Sequence, residues 1–239
     1  MNRRMLIALA AAGAMLAQGA TALEACGVDP GRLGAYYERL EFPAGEAGEP
    51  QRRTFSIWRQ GLQLAHQRDQ PAITEVWAQL APGRFQLTRY FDDFQRGIEY
   101  QVGETGTDAQ SVAWPQRWAL VSAERRAQLH YESSEGEGCE RAEVYSLTEG
   151  DTRTRLEWLP ELQLPRLYSV EGPAGKTRLQ LLRTITEPDT VEAAFQARSR
   201  WQTLDFADIG DHESDPFLRD MIRLGYIEHA EEPGAGHRH

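Results

Sequence analysis

From residue 51 onward, apolar and polar side chains alternate with a period of two. RTFSIWRQ sets Phe55 and Ile57 on one face, and GLQLAHQ does the same with Leu62 and Leu64. AITEVWAQL follows, then RFQLTRYF with Phe85 and Leu87, then FQRGIEYQ with Phe94, Ile98 and Tyr100. Turn formers separate these runs at Arg68-Asp69-Gln70-Pro71, Ala81-Pro82-Gly83 and Asp92-Asp93. The spacing predicts a series of strands joined by short turns. A second strand-rich block covers 139–186, as CERAEVYSL, TRTRLEWL, LQLPRLYSVE and KTRLQLLRTIT. Within it Arg153, Arg155 and Glu157 alternate with Thr154, Leu156 and Trp158, which predicts one wet and one dry face. Antiparallel sheets show that pattern; buried parallel sheets do not. No helix-length pattern lies between successive strands of either block, so parallel crossovers are not expected.

Helix signals are few. Asp29-Pro30 predicts the cap of a short helix through Tyr36–Leu40. WPQRWALVSAERRAQL, 114–129, predicts a helical interruption between the blocks, with Ser122 as a cap. Asp189-Thr190-Val191-Glu192 has capping-box spacing and predicts a helix over Val191–Arg198. Near the C-terminus Asp215 is a good N-cap, Pro216 suits the first helical position, and Gly225 can end the helix. That predicts a helix over about 216–224, with Phe217, Met221 and Leu224 on one side. The fold class that results is α+β, mainly antiparallel β: a curved half-barrel sheet with a few helices packed on or near its concave face.

The ends change the picture. Arg3 and Arg4 precede an apolar run, LIALAAAGAMLA, too short to span a bilayer, and Ala20-Thr21-Ala22 supplies small residues before a cleavage point. Residues 1–22 are read as a signal peptide, 23–228 as a single exported domain, and 229–239 as a disordered polar tail. The formal net charge is −10, and removing Arg3 and Arg4 takes it to −12. Such a balance argues against nucleic acid or an anionic membrane surface as partner.

Two cysteines, Cys26 and Cys139, enter an oxidising compartment in this reading and predict one disulfide. A rival reading takes Leu23-Glu24-Ala25-Cys26 as a partial lipobox, with Cys26 lipidated. Asp205, Asp208, Asp211, Glu213 and Asp215 crowd one short stretch around His212. They lack the D-x-[DN]-x-[DN]-G spacing of a calcium loop, and zinc would need more Cys or His. The stretch is read as the acidic lead-in to the last helix. Asp208, Asp211, Glu213 and Asp215 stand as weak metal candidates, and no metal or cofactor is expected.

The chain has no G-x-S-x-G, H-E-x-x-H, P-loop or C-x-x-C, so no catalytic residue is expected. His66 and His130 read as structural. Six tryptophans stand out. They serve either as ordinary core or as the lining of an apolar cleft. The cleft candidates are Trp58, Trp77, Tyr90, Tyr100, Trp158, Phe217 and Met221.

An antiparallel meander, a central helical interruption and a second meander ending in TRTRLEWLPELQLPRLYSVEGPAGKTRLQLLRTIT together resemble the periplasmic lipoprotein-carrier-like superfamily of LolA and MucB/RseB type. The likeness spans roughly 51–187 and rests on element order and compartment rather than a motif, so no functional residue is carried over. It implies an unclosed barrel whose concave face is lidded by helices and takes up acyl chains or lipoproteins. The function expected is a non-enzymatic periplasmic protein that binds a lipid, a lipoprotein acyl chain or a hydrophobic partner segment. The alternative is an envelope structural or regulatory protein that binds a protein partner and has no lipid site.

Overall fold

Twelve strands join edge to edge in one open sheet, and its curl can be read from the side chains that meet across it. The computed structural model describes residues 26–45, 49–104, 114–212 and 214–227. The first meander holds β1 (Arg32–Pro43), β2 (Gln51–Gln60), β3 (Gln63–Asp69), β4 (Ala72–Ala81), β5 (Arg84–Phe91) and β6 (Arg96–Tyr100). The second holds β7 (His130–Glu135), β8 (Ala142–Glu149), β9 (Thr152–Leu159), β10 (Leu164–Gly172) and β11 (Gly175–Ile185). The two meanders join where β1 pairs with β11. All pairings are antiparallel except the short edge strand β12 (Gln202–Asp205), which runs parallel to β6. Helices α1 (114–119) and α2 (Ala123–Ala127) lie between the meanders, and α3 (Pro188–Gln196) lies between β11 and β12. A 3-10 segment, Phe206–His212, and α4 (Pro216–Arg223) follow β12.

Period two assigns each side chain to a face. Leu33, Ala35 and Tyr37 of β1 lie opposite Arg59, Ile57 and Phe55 of β2. The same face continues through Leu64, Trp77, Leu87 and Tyr100, each directly opposite the next. Arg59 is fully buried, and these hydrophobic residues are buried apart from the partly exposed Phe55. This face is the concave one. The Tyr37 hydroxyl donates to the Pro165 carbonyl oxygen of β10 at 2.9 Å, although β11 lies between β1 and β10. Ala35 shares a buried cluster with Ala142 of β8 and Leu159 of β9. In a flat sheet β1 and β8 would stand about 19 Å apart, at ~4.8 Å per strand.

Three segments cover the concave face. Val121 and Leu129, either side of α2, meet Leu156 and Trp158. The 3-10 segment and α4 bring Ile209, Phe217, Leu218 and Met221 onto Ile73, Leu87, Phe91 and Ile98. Helix α3 takes the opposite, convex face, where Val191 packs with Trp58 and Ala65. There the Trp58 ring lies flat on β1: a Cβ added at Gly34 would come within 2.4 Å of it.

The capped C-terminal helix forms as its sequence predicts. Asp215 accepts the Phe217 N–H at 2.9 Å, and Gly225 sits in the left-handed region at φ 72°. Its buried side differs from expectation, because Leu224 caps the end and is exposed while Leu218 is fully buried. The helix expected over Tyr36–Leu40 is instead the middle of β1, held on both sides by β2 and β11. Asp29 accepts the Gly31 N–H at 2.8 Å and so caps a turn that leads into that strand. Helix α3 starts at Pro188, earlier than Val191, and Asp189 lies in its first turn rather than at its cap. Strand β7 was not expected; all six of its residues are exposed, so it carries no apolar period to read. The segments expected to be a signal peptide and a polar tail lie outside the described residues.

Candidate functional site

The main recess of the concave face lies beside α1 and α2. It is a cleft of about 750 Å³, walled by Trp114, Trp118 and Val121 on one side and by Leu62, Trp158 and Gln163 on the other. That volume lies within the ~300–1,000 Å³ range of small-molecule sites. Local sequence explains each wall. Ser122 accepts the Arg125 N–H at 3.1 Å and starts α2. Gly61 at φ 60° makes the tight turn that leaves Leu62 at the mouth, 62% exposed. Trp114 stacks on Phe85, with ring centroids 4.9 Å apart, and leans on Trp118 at 5.7 Å. The Arg126 guanidinium sits over Trp158, 4.2 Å from the ring centroid, and adds a cation to a lining that also carries Glu143 and Gln163.

Arg59 fixes this architecture from beneath. It projects from β2 onto the dry face, where its guanidinium donates to four separated carbonyl oxygens. Those are Pro30 at 3.0 Å, Leu162 at 2.8 Å, Gln163 at 2.9 Å, and Trp118, reached by Nε at 3.1 Å and also by Nη2. Its carbon stands 4.7 Å from the Trp118 ring centroid. Charge-assisted bonds of this kind contribute roughly 1.5–3 kcal/mol each, which offsets much of the cost of burying the charge. Burial still pulls its pKa down to about 9, opposed by the nearby Tyr37 hydroxyl, so it stays a cation at neutral pH. One side chain thereby ties the N-terminal approach to β1, the end of α1 and the β9–β10 turn to β2. Gln163 and Leu120, at either side of that tie, hold left-handed backbone at φ 53° and 62° without being glycine. Such strain persists only where surrounding contacts fix it.

The disulfide completes the frame. Cys26 and Cys139 are bonded, with Cα atoms 4.7 Å apart, and both sulfurs pack against the cluster of Leu33, Ala35, Leu159 and Leu162. The staple reading of Cys26 holds, since its sulfur is taken by Cys139.

The seven expected cleft residues are not assembled at one place. Trp158 lines the cleft. Trp77 and Tyr100 are buried in the concave-face core, together with Phe217 and Met221 of α4. Trp58 lies beneath α3 on the convex face. Tyr90, also convex, meets Trp201 edge-on at 5.9 Å. Trp114 and Trp118, two of the six tryptophans, are not among the cleft candidates, and Leu62, Val121, Arg126 and Gln163, with Arg59 beneath them, are not read from the sequence as cleft residues at all. Continuing the Phe55, Ile57 alternation by one step places Arg59 on the dry face, and that signal was available.

The acidic stretch is used for structure. The Asp215 carboxylate caps α4 and takes the Arg96 guanidinium at 2.6 Å. Burial pushes its pKa up, but the Arg96 and Phe217 N–H bonds outweigh that and hold it below its ordinary value. His212 Nδ1 lies 2.9 Å from the Asp208 carbonyl oxygen. Asp208 and Asp211 lie in the 3-10 segment, and Glu213 is outside the described residues. Among the described residues no three His, Cys, Asp or Glu side chains converge as a metal site requires. No described helix is long and apolar enough to cross a membrane.

Fold and cleft together define an open antiparallel half-barrel with an aromatic recess on its concave face. No family model matches the chain, and no curated protein matches it. Among solved structures it is similar to a DUF1329 family protein from Desulfovibrio piger, at 10% identity and a TM-score of 0.34, over 69% of this chain and 89% of that one. It is also similar to PNGF-II, at 6% identity and a TM-score of 0.36, over 80% of this chain and 33% of that one. These likenesses are too remote to carry chemistry, and the reading of the site rests on its own residues.

Proposed function

We propose that this is a non-catalytic binding protein of the periplasm, of the half-barrel carrier type its sequence resembles. Its ligand is an acyl chain or another slender apolar segment, and it binds in the tryptophan cleft. The observation that carries this reading is an aromatic recess of about 750 Å³ with Leu62 standing 62% exposed at its mouth. A large aliphatic side chain held in water beside a preformed aromatic-walled recess with a few polar groups suits an apolar partner. The disulfide fits an oxidising compartment. His66, on the concave face, is engaged with the Arg117 carbonyl oxygen at 3.0 Å and suits a structural role.

A protein partner without a lipid site is the second reading, and β7 favours it. That edge strand is exposed along its whole length, and exposed edges accept an added strand. A lipid-extract mass spectrum of the protein purified from its native host separates the two. The carrier reading expects co-purified acyl species, and it expects Leu62→Ser to weaken binding of the apolar dye N-phenylnaphthylamine severalfold. A clean extract together with dye binding indifferent to that substitution would sink it.

A further inference from the structure

The link between α1 and α2 divides the concave face. Ala119 and Val121 line the tryptophan cleft, while Leu120 between them lines a second cavity of about 410 Å³. The rest of that cavity comes from β1 to β4 and the β3–β4 turn and carries a different chemistry: Arg39, Arg53 and Arg68 stand around Phe55 and His66, with the single carboxylate of Glu75 in the lining. Register sets Arg39 directly opposite Arg53, and Phe55 directly opposite Arg68. Like charges directly opposite across antiparallel strands destabilise the pair unless an anion lies between them. This cluster is built into a chain whose formal net charge is −10.

Among the described residues, the carboxylates that reach it are already shared with other cations. Glu41 pairs with Arg39 at 2.8 Å. Glu75 serves three cations, Arg89 at 3.0 Å, Arg68 at 3.7 Å and Arg117 at 3.9 Å. Arg53 forms no ion pair with a described carboxylate. Among the described residues, Glu41 is thus engaged by Arg39 and Glu75 is shared between Arg68 and Arg89, while Arg53 pairs with neither. His66, at the base, has Nε2 against the Arg117 carbonyl oxygen, and burial disfavours its charged form although that bond opposes the shift. Planar guanidinium forks match the paired oxygens of phosphate and carboxylate groups, and Phe55 and Leu120 offer an apolar surface beside them.

We propose that this second cavity is an oxyanion site, taking a phosphate or carboxylate group between Arg39, Arg53 and Arg68, with Phe55 and Leu120 against any apolar part of the molecule that carries it. The site lies across the α1–α2 link from the tryptophan cleft and stands whether or not that cleft holds an acyl chain.

Calorimetry of the full chain at low ionic strength tests it with two probes, inorganic phosphate and dodecyl phosphate below its micelle concentration. At least one is expected to bind, and the Arg53→Gln/Arg68→Gln double variant to weaken it by tenfold or more, about 1.4 kcal/mol per tenfold. Added salt weakens it further, because both side chains are exposed. Arg53→Gln alone, at an exposed position without an ion pair, gives a smaller loss in the same direction and leaves the thermal midpoint unchanged. Binding of dodecyl phosphate alone, weakened in the double variant, assigns the site to the headgroup of an amphiphile; equal affinity for both probes assigns it to the free anion. Failure of both probes to bind, or affinity unaltered in the double variant, overturns the proposal.

Discussion

The concave face is covered differently on the two sides of β1. Over β4–β6, the 3-10 segment and α4 lay four apolar side chains, Ile209, Phe217, Leu218 and Met221, onto the strands and close the surface. Over β9, Val121 and Leu129 meet Leu156 and Trp158, and a cleft opens beside them. Both wings use one strand period and one twist, so the sheet itself does not make the difference. The covering segments do. A curved sheet must leave a hollow on its inner face, and a segment from outside the meander decides whether that hollow becomes core or recess. Here the chain after β12 fills one wing, while the α1–α2 segment reaches only partway across the other.

If the open wing has the thinner core, it depends most on its covalent tie. The disulfide joins residues 113 apart, and the chain-entropy model gives such a loop about 4–5 kcal/mol of stabilisation. The Cys26→Ser/Cys139→Ser double variant is expected to lose about that much in urea unfolding. Hydrogen exchange should open first in β8 and β9 rather than in β4–β6. A loss below about 1 kcal/mol would mean that the open wing holds its curl without the staple.

The closed wing should answer to packing instead. Met221 is 1% exposed on α4, and truncating it leaves a cavity; Met221→Ala is expected to cost about 3 kcal/mol. Leu224 ends the same helix at 51% exposure, and Leu224→Ala should stay within about 0.5 kcal/mol. Equal costs for the two substitutions would show that α4 does not dock as described, and the contrast between the wings would lose its cause.

These contrasts also show what could be read from the chain beforehand. TRTRLEWL announces its dry face because Thr154, Leu156 and Trp158 recur every second residue, and all three are buried. Asp215-Pro216 announces α4 because its capping is local. Strand β1 escaped because Asp29-Pro30 resembles a helix start, while its true partners, β2 and β11, include a strand far along the chain. Trp58 follows Ile57 and must therefore face the other way, so its separation from the cleft was legible in the alternation. Arg59 was half legible. Alternation places it inward, but the carbonyl oxygens that make burial tolerable come from residues up to 104 positions away. Trp114 and Trp118 could not be assigned to the cleft, because nothing local states on which wing the segment between the meanders comes to rest.

His66 tests how firmly that segment is seated, with an expected effect smaller than that of the disulfide or of Met221. It lies on the concave face of β3, and its Nε2 meets the Arg117 carbonyl oxygen of α1 at 3.0 Å. Burial pushes its pKa from 6.5 down to about 4; the bond to Arg117 opposes that shift without cancelling it. The unfolded chain therefore takes up a proton at higher pH than the folded one does. The stabilisation from the neutral ring is complete above the unfolded value and drains away as pH falls from about 6.5 toward 4. Between about pH 7 and about pH 5 the linkage amounts to roughly 2 kcal/mol, and partial exposure of the ring reduces it to about 1–2 kcal/mol. Urea midpoints at those two pH values, for the wild type and for His66→Gln, isolate this share, because carboxylates titrating in the same window cancel in the difference. The wild type should lose the larger amount on acidification. Equal losses would mean that the ring is solvated in the folded protein and that α1 does not rest on β3, in which case the closed wing would be open along that side as well.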